Sequence, residues 1–457
     1  MQNDLPVFRG KNPFLRGAEF LRNPYEFTIQ HGPSLGDFYR VPFIFRKLFV
    51  TTNHEVIHHV LQKNQKNYVK SPAYRNLKQA LGEGLVTSEG DHWRRQRRLA
   101  QPAFYKTQLE GLFNSMAGIA EQYCRDLAMK TQSGEPLELS KEMMSVTADI
   151  VLKTLFSADN PADISEMYRI MSEAQDYLVF ITVNPHLVPI VYMNGRRRRF
   201  RSDIAWFDRH LHSIIEARRS DPNPSNDLLT MLLQAKDEET GESMSDKHLR
   251  DETLTLFAAG HETSATALTW AFYLLSKHPA VLAKLRSEVD QVLGDRTPAF
   301  DELRQLPYTL KVIQETMRLY PPGFAIGRQP VQDDEILGQK IPAGSIVFIS
   351  IAALHRDARF WQRPHDFFPE HFDSELEKER PRLAYLPFGA GPRMCIGNHF
   401  ALMEMQLLLA MLVRRFDFSL VENHPVEPEP LITLKPKHGV LMKISARAVP
   451  GHPNSAS

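Results

Sequence analysis

The chain has 457 residues, 42% of them hydrophobic, with 55 Lys and Arg against 54 Asp and Glu. That balance supplies a large core and leaves no surplus charge for bulk nucleic-acid binding. Two cysteines, Cys124 and Cys395, stand far apart, which excludes a disulfide framework and makes the expected localisation reducing and cytoplasmic.

Residues 1–17 hold charges and prolines and no apolar run of signal-peptide or membrane-span length, so no membrane span is expected. Apolar spacing predicts a helix over 18–31, ended by Gly32-Pro33, then paired strands over 36–39 and 48–52. Asn53 caps a helix reaching about Asn64. From 68 to 87 the pattern loosens into a loop or a short helix. Ser88-Glu-Gly-Asp91 reads as a capping box opening a helix over 91–99. Trp93 and Arg97 share a face of that helix, beside Arg94, Arg95 and Arg98. This is either a solvated basic helix or an anion clamp made of an indole N–H and a guanidinium. Helices follow over 108–130, where Cys124 reads as an inert buried thiol, and over 141–156. The stretch 172–193 is apolar and broken by prolines, and a basic run over 196–199 opens a helix to about Arg219.

The longest helical pattern covers 246–277, about 45 Å of helix. Its middle reads Phe257-Ala-Ala-Gly-His-Glu-Thr-Ser264. Gly260 costs up to about 1 kcal/mol against alanine, and a buried Glu262 needs partners. Small residues there let something large lie against the helix. Thr263 can bond back to a carbonyl and open a bulge. Helices over 279–292 and 310–318 come next, and Glu315 and Arg318 are three apart and face together. Strand signals mark 327–331, 335–337, 345–350 and 416–444.

Between the last two β-rich stretches stands Phe388-Gly-Ala-Gly-Pro-Arg-Met-Cys395-Ile-Gly397, ahead of a helical run from Asn398. Its glycines permit left-handed angles and close approach. Turn amides and a helix N-terminus stabilise negative charge on the sulfur and are expected to lower the thiol pKa. A shielded thiolate is a nucleophile or a soft metal ligand, and these residues leave both open. His399, four residues on, suggests zinc, which takes three or four protein ligands, and no companion pair is evident.

Taken in order, these features resemble the cytochrome P450 family of haem-thiolate monooxygenases over nearly the whole chain. Phe388-x-x-Gly391-x-Arg393-x-Cys395-x-Gly397 matches the family's haem-ligand signature. Ala259-Gly260-x-Glu262-Thr263-Ser264 is similar to its oxygen-activation motif, Glu315-x-x-Arg318 to its structural pair, and Trp93-x-x-x-Arg97 to its propionate clamp. His371, in Phe368-Pro-Glu-His-Phe372, stands where the family often has arginine. The lock it forms with Glu315 and Arg318 is expected to be less ionic and pH-sensitive.

The resemblance implies a single P450 domain over 1–457, mainly α with a smaller β-rich region, a triangular prism with the long helix over the haem. It implies haem b (iron protoporphyrin IX), with Cys395 on the iron and Phe388 and Gly397 beside it. Propionates would be held by Trp93, Arg97, Arg328 and Arg393, and protons relayed by Glu262 and Thr263. The implied pocket draws on Tyr74, Leu77, Leu85, Phe180, Phe257, Ala258, Ala259, Phe324, Ala325 and Ile432, and on the rest of 180–191. It favours a lipophilic substrate such as a fatty acid, terpenoid or steroid. The implied reaction inserts one oxygen atom from dioxygen (O2), in a soluble monomer without a fused reductase. Electrons would come from a separate ferredoxin or flavodoxin with its reductase, docking near Arg94, Arg95 and Arg98. The alternatives are a peroxide-using peroxygenase and a non-catalytic haem-binding protein.

Overall fold

Ser245 accepts a hydrogen bond from the His248 N–H and opens a helix that runs from Asp246 to Lys277. Other elements cover most of this central helix, and they bury polar side chains such as Glu252, Thr253 and His261 as well as apolar ones. Leu254, Phe257, Leu268, Trp270 and Phe272 on it are buried. The structure, a computed structural model, describes residues 5–10, 16–43, 46–157, 166–167, 169–170, 173–174, 176–178, 180–181 and 195–447. The expected pocket segment 182–191 lies outside them.

Two helices clasp the middle of the central one. The helix Leu139–Phe156 comes close at Gly260, where a Cβ would stand 3.1 Å from Val151 Cγ2. Thr147 Oγ1 fixes the crossing by donating to the His261 carbonyl at 2.9 Å. Gly260 therefore serves helix packing as well as the space beside it. The helix Asn398–Arg415 joins the same core, with Leu407 to Val413 fully buried. Trp270 stacks on Tyr320 at 4.0 Å and donates its indole N–H to the Leu434 carbonyl.

The β-rich part is a five-stranded sheet in the spatial order Phe38–Val41, Leu48–Thr51, Ile346–Ser350, Ala325–Pro330, Tyr68–Lys70. Leu48–Thr51 and Ile346–Ser350 run parallel, and the remaining neighbours run antiparallel. The edge strand Tyr68–Lys70, which the sequence left as loop, sets Lys70 opposite Arg328. A second sheet joins Leu137–Glu138, Leu441–Ala446 and Phe416–Leu420.

The expected helix over 18–31 is two helices, Arg16–Arg22 and Pro24–Leu35, and Gly32-Pro33 does not end the second of them. A proline in the last turn costs one hydrogen bond, and the Gly36 N–H still closes the turn on the Gly32 carbonyl. The helix Gly90–Ala100 is not opened by a capping box, and the Ser88 hydroxyl has no partner. Glu89 occupies the cap position, but its carboxylate takes the Lys70 N–H at 2.7 Å and the Arg393 guanidinium instead.

Candidate active site

A cavity of about 410 Å³ lies between the central helix and the cysteine loop. Ala259, Gly260, Thr263 and Ala267 line it from the helix, at the spacing of one face. Phe388, Gly389, Cys395 and Gly397 line it from the loop, and Leu85, Val86, Leu155 and Ile326 are among the apolar walls.

The loop is folded tightly around its sulfur. The Cys395 N–H donates to the Phe388 carbonyl at 2.9 Å, and Arg97 Nη1 holds the Met394 carbonyl at 2.9 Å. Gly389 and Gly391 have φ of +74° and +71°. A Cβ on Gly391 would fall inside the Leu61 carbonyl oxygen, so strain and collision both demand glycine there. The thiol is open to the cavity and enclosed by protein otherwise. That enclosure raises its pKa above the ordinary value, and the Gly397 amide and the Arg97 charge pull it back only in part. The lowering expected from the helix N-terminus is overturned because desolvation outweighs the amides. A metal ion on the sulfur removes that proton outright.

The loop hangs from a buried ion pair. Arg318 grips Glu315 with two parallel bonds of 2.8 Å, and both side chains are wholly out of water. The remaining Arg318 donors go to the carbonyls of His355, Pro364 and Asp366, at 2.7–2.8 Å. Glu315 also accepts from the Phe368 N–H, and His371 Nδ1 faces both of its oxygens at 3.2 Å. His355 Nε2 in turn accepts the Leu386 N–H, and the Gly389 N–H bonds the Leu386 carbonyl, which leads into the cysteine loop.

One edge of the cavity is cationic. Lys70, Arg97, Arg328 and Arg393 line it, with the Trp93 indole. Arg393 lies 4.2 Å over the Trp93 ring. Lys70 is pushed down to about 7, chiefly by burial and then by the Arg393 charge. Such a surplus fits a flat apolar group bearing two carboxylates, with a metal facing the thiol. Haem has that shape and those charges, so the donor set fits it.

The proposed relay residues are adjacent in sequence but face different ways. Thr263 lines the cavity and donates to the Ala259 carbonyl at 2.9 Å, without breaking the α-helix. Glu262 is turned into the Pro428–Pro436 region, accepting from Thr433 Oγ1 at 2.7 Å and pairing with Lys435 at 2.6 Å. Successive residues on a helix point about 100° apart, so an acid beside the alcohol in sequence is not beside it in the cavity.

Of the expected pocket residues, Tyr74, Leu85, Ala259 and Ala325 line the cavity. Phe257 does not: it stacks on His261 in the core, and Ala258 packs into the same core. Both lie off the face that carries 259, 263 and 267. Leu77 and Phe180 belong to a separate cluster with Ala174 and Tyr177, Phe324 packs against Tyr25, and Ile432 is 39% exposed. The docking arginines are already engaged: Arg94 with Asp91, Arg95 with Glu242, Arg98 with Asp237 and Glu239. Among the described residues no cluster of three metal-ligating side chains includes Cys395 or His399. Cys124 is buried, as expected, with its thiol pushed up to about 11 by burial.

Lys70 and Glu252 are among the cavity residues that the sequence did not point to. Lys70 reaches it through strand pairing, which leaves no local signal. Glu252 precedes Ala259 by two helical turns, and helix phase alone could have found it. Ser264 lies beside Glu404, a fully buried carboxyl whose oxygens have no closed hydrogen bond. Burial pushes Glu404 up to about 8, and the Ser264 hydroxyl offsets this only in part.

The folded chain keeps the Glu404 proton where the unfolded chain, at an ordinary value of 4.5, has released it. Its contribution to stability is thus full below pH 4.5 and is lost as pH rises through about 8. Glu404→Gln should flatten that decline in denaturant melts run from pH 5 to 9 (roughly the window given by linkage). Gly391→Ala should cost about 2 kcal/mol or more. Gly118→Ala, in the helix Lys106–Lys130 with no atom near its Cβ, should gain up to about 1 kcal/mol in the same melts.

Comparison with known proteins places these features together. The family model described as cytochrome P450 matches residues 8–443. The chain is 33% identical over 415 residues to "Cyclooctatin synthase" of Streptomyces melanosporofaciens, covering 90% of this chain and 89% of that one. It is 32% identical over 396 residues to "Cyclooctat-9-en-7-ol 5-monooxygenase" of the same organism, covering 86% and 85%. The crystal structure of the cytochrome P450DA heme domain superposes with a TM-score of 0.88 at 26% identity, over 97% of this chain and 98% of that one.

Proposed function

The chain belongs to the cytochrome P450 family, a haem-binding monooxygenase of mainly α fold, and we propose that Cys395 carries the iron of haem b and that the substrate is lipophilic. One observation carries the reading: a thiol opens into an apolar cavity whose edge is lined by cations and whose helix wall presents a threonine hydroxyl. When bound, haem supplies the activation of dioxygen and the insertion of one oxygen atom into the substrate.

The residues divide that work. The Gly397 amide and the Arg97 charge favour the thiolate. Arg97, Arg328 and Arg393 would neutralise the two carboxylates at the cavity edge, with the Trp93 indole as a neutral N–H donor and Lys70, pushed down to about 7, partly charged beside them. Leu85, Val86 and Ile326 keep water from the reacting face. Thr263 would hold a proton there, and Glu262 would pass one on only after leaving Lys435 and taking up a proton from solvent. The substrate is of the fatty-acid, terpenoid or steroid kind. The relative named for cyclooctat-9-en-7-ol supports the terpenoid option. Among the described residues no helix is long and apolar enough to cross a membrane.

Electrons come from a separate ferredoxin or flavodoxin with its reductase, meeting a monomeric enzyme in the cytoplasm. A second reading, peroxide use without such partners, is favoured by the pairing of Glu262 with Lys435, which holds that acid away from Thr263. Turnover on peroxide alone against turnover with reductase and dioxygen separates the two.

The reduced protein with carbon monoxide should give the thiolate-ligated haem spectrum, and Cys395→Ser should abolish it. Thr263→Ala should leave that spectrum in place and lower product formed per reducing equivalent by about ten-fold, with the balance released as peroxide or water. Unchanged coupling would remove Thr263 from the relay.

A further inference from the structure

The carboxylate of Glu315 is fully buried, and the groups around it come from several elements. Arg318 is on its own helix, His371 follows in an irregular turn, and Trp361 lies beside both. A fourth group, Arg380, sits directly after the short helix Ser374–Glu379 and just before the segment that becomes the cysteine loop. Its guanidinium lies 3.7 Å from the centre of the Trp361 ring, the same ring that carries Arg318 at 5.0 Å. Arg380 Nη2 donates to the His371 carbonyl at 2.5 Å.

Among the described residues no carboxylate forms an ion pair with Arg380, and its Nε is buried without a partner. Burial lowers its pKa and the Arg318 charge adds to the lowering, while the charges of Glu377 and Glu315 are among those that oppose it. An arginine is suited to the place, because its plane stacks on an indole and its charge persists when desolvated.

We propose that Arg380 is a positioning residue for the cysteine loop: stacked on Trp361 and bonded to His371, it supplies the second guanidinium of the Glu315–Arg318 lock. It stands in for the charge that a histidine at 371 does not fix. Its effect reaches the sulfur along bonds already described, from Arg318 to the His355 carbonyl, from His355 to Leu386, and from Leu386 into the loop. The proposal rests on Cys395 being the haem ligand.

The test uses the haem-loaded protein and follows, after reduction under carbon monoxide, the rate at which the thiolate-ligated spectrum gives way to the neutral-thiol one. Arg380→Ala should speed that conversion about ten-fold, the value of one charge-assisted bond. His371→Arg in the same chain should restore it to within about two-fold, since coupled neighbours are not additive. A conversion rate unchanged by Arg380→Ala overturns the proposal. So does a faster rate that His371→Arg fails to restore, with or without a lower melting point, since that marks plain packing. If Arg380→Ala gives no soluble protein, Arg380→Gln is read by the same rule, because glutamine keeps much of the side-chain length and loses the charge and the guanidinium plane. If the parent protein gives no thiolate spectrum at all, the reading of Cys395 fails and takes this proposal with it. A thiolate spectrum indifferent to residue 380 removes Arg380 alone.

Discussion

Glu315 and Arg318 share no water, and the polypeptide around them depends on that. Burying two charges is expensive, and the pair alone is weak evidence of net stabilisation. Its role is clearer from where the spare donors go. The carbonyls of His355, Pro364 and Asp366 lie in turns that no long helix or sheet supports, and the Phe368 N–H is in the same position. Buried backbone groups of this kind need partners. One guanidinium and one carboxylate supply four of them, and in doing so fix the path of 355–371. The cysteine loop inherits that fixed path through His355 and Leu386.

The cavity side is arranged by a different imbalance. Arg97, Arg328 and Arg393 converge there, beside a Lys70 pushed down to about 7, with few anions to answer them. Glu89 answers Arg393, and burial pushes Glu252 up to about 8, so it answers little at neutral pH. Charges assembled before the ligand arrives reduce what binding must reorganise. The sulfur shows the complementary economy: its raised pKa keeps it protonated, and less nucleophilic, until a metal takes it.

What was legible in the sequence was what is local. The haem-ligand signature is ten consecutive residues, and its glycines take the angles that their type suggests. The central helix spans the residues expected of it, because thirty-two residues of one periodicity leave little choice. What failed needed a direction as well as an element. Phe257 and Ala258 were taken with Ala259, yet helix phase turns them into the core. Glu262 was taken with Thr263 for the same reason. Lys70 and Arg380 were illegible for another: each acquires its neighbours only when distant strands or turns meet. The thiol pKa was misread in sign because a sequence reports amides near a sulfur and not the water excluded from it.

The pairing of Tyr68–Lys70 with Ala325–Pro330 has a consequence for how the chain comes together. Lys70 and Arg328 are far apart in sequence, and closing so long a loop is a slow, entropically costly step. Gly391 against the Leu61 carbonyl and Arg97 on the Met394 carbonyl join residues that are farther apart still. The cation edge and the cysteine loop therefore both depend on contacts that close only when distant parts of the chain meet.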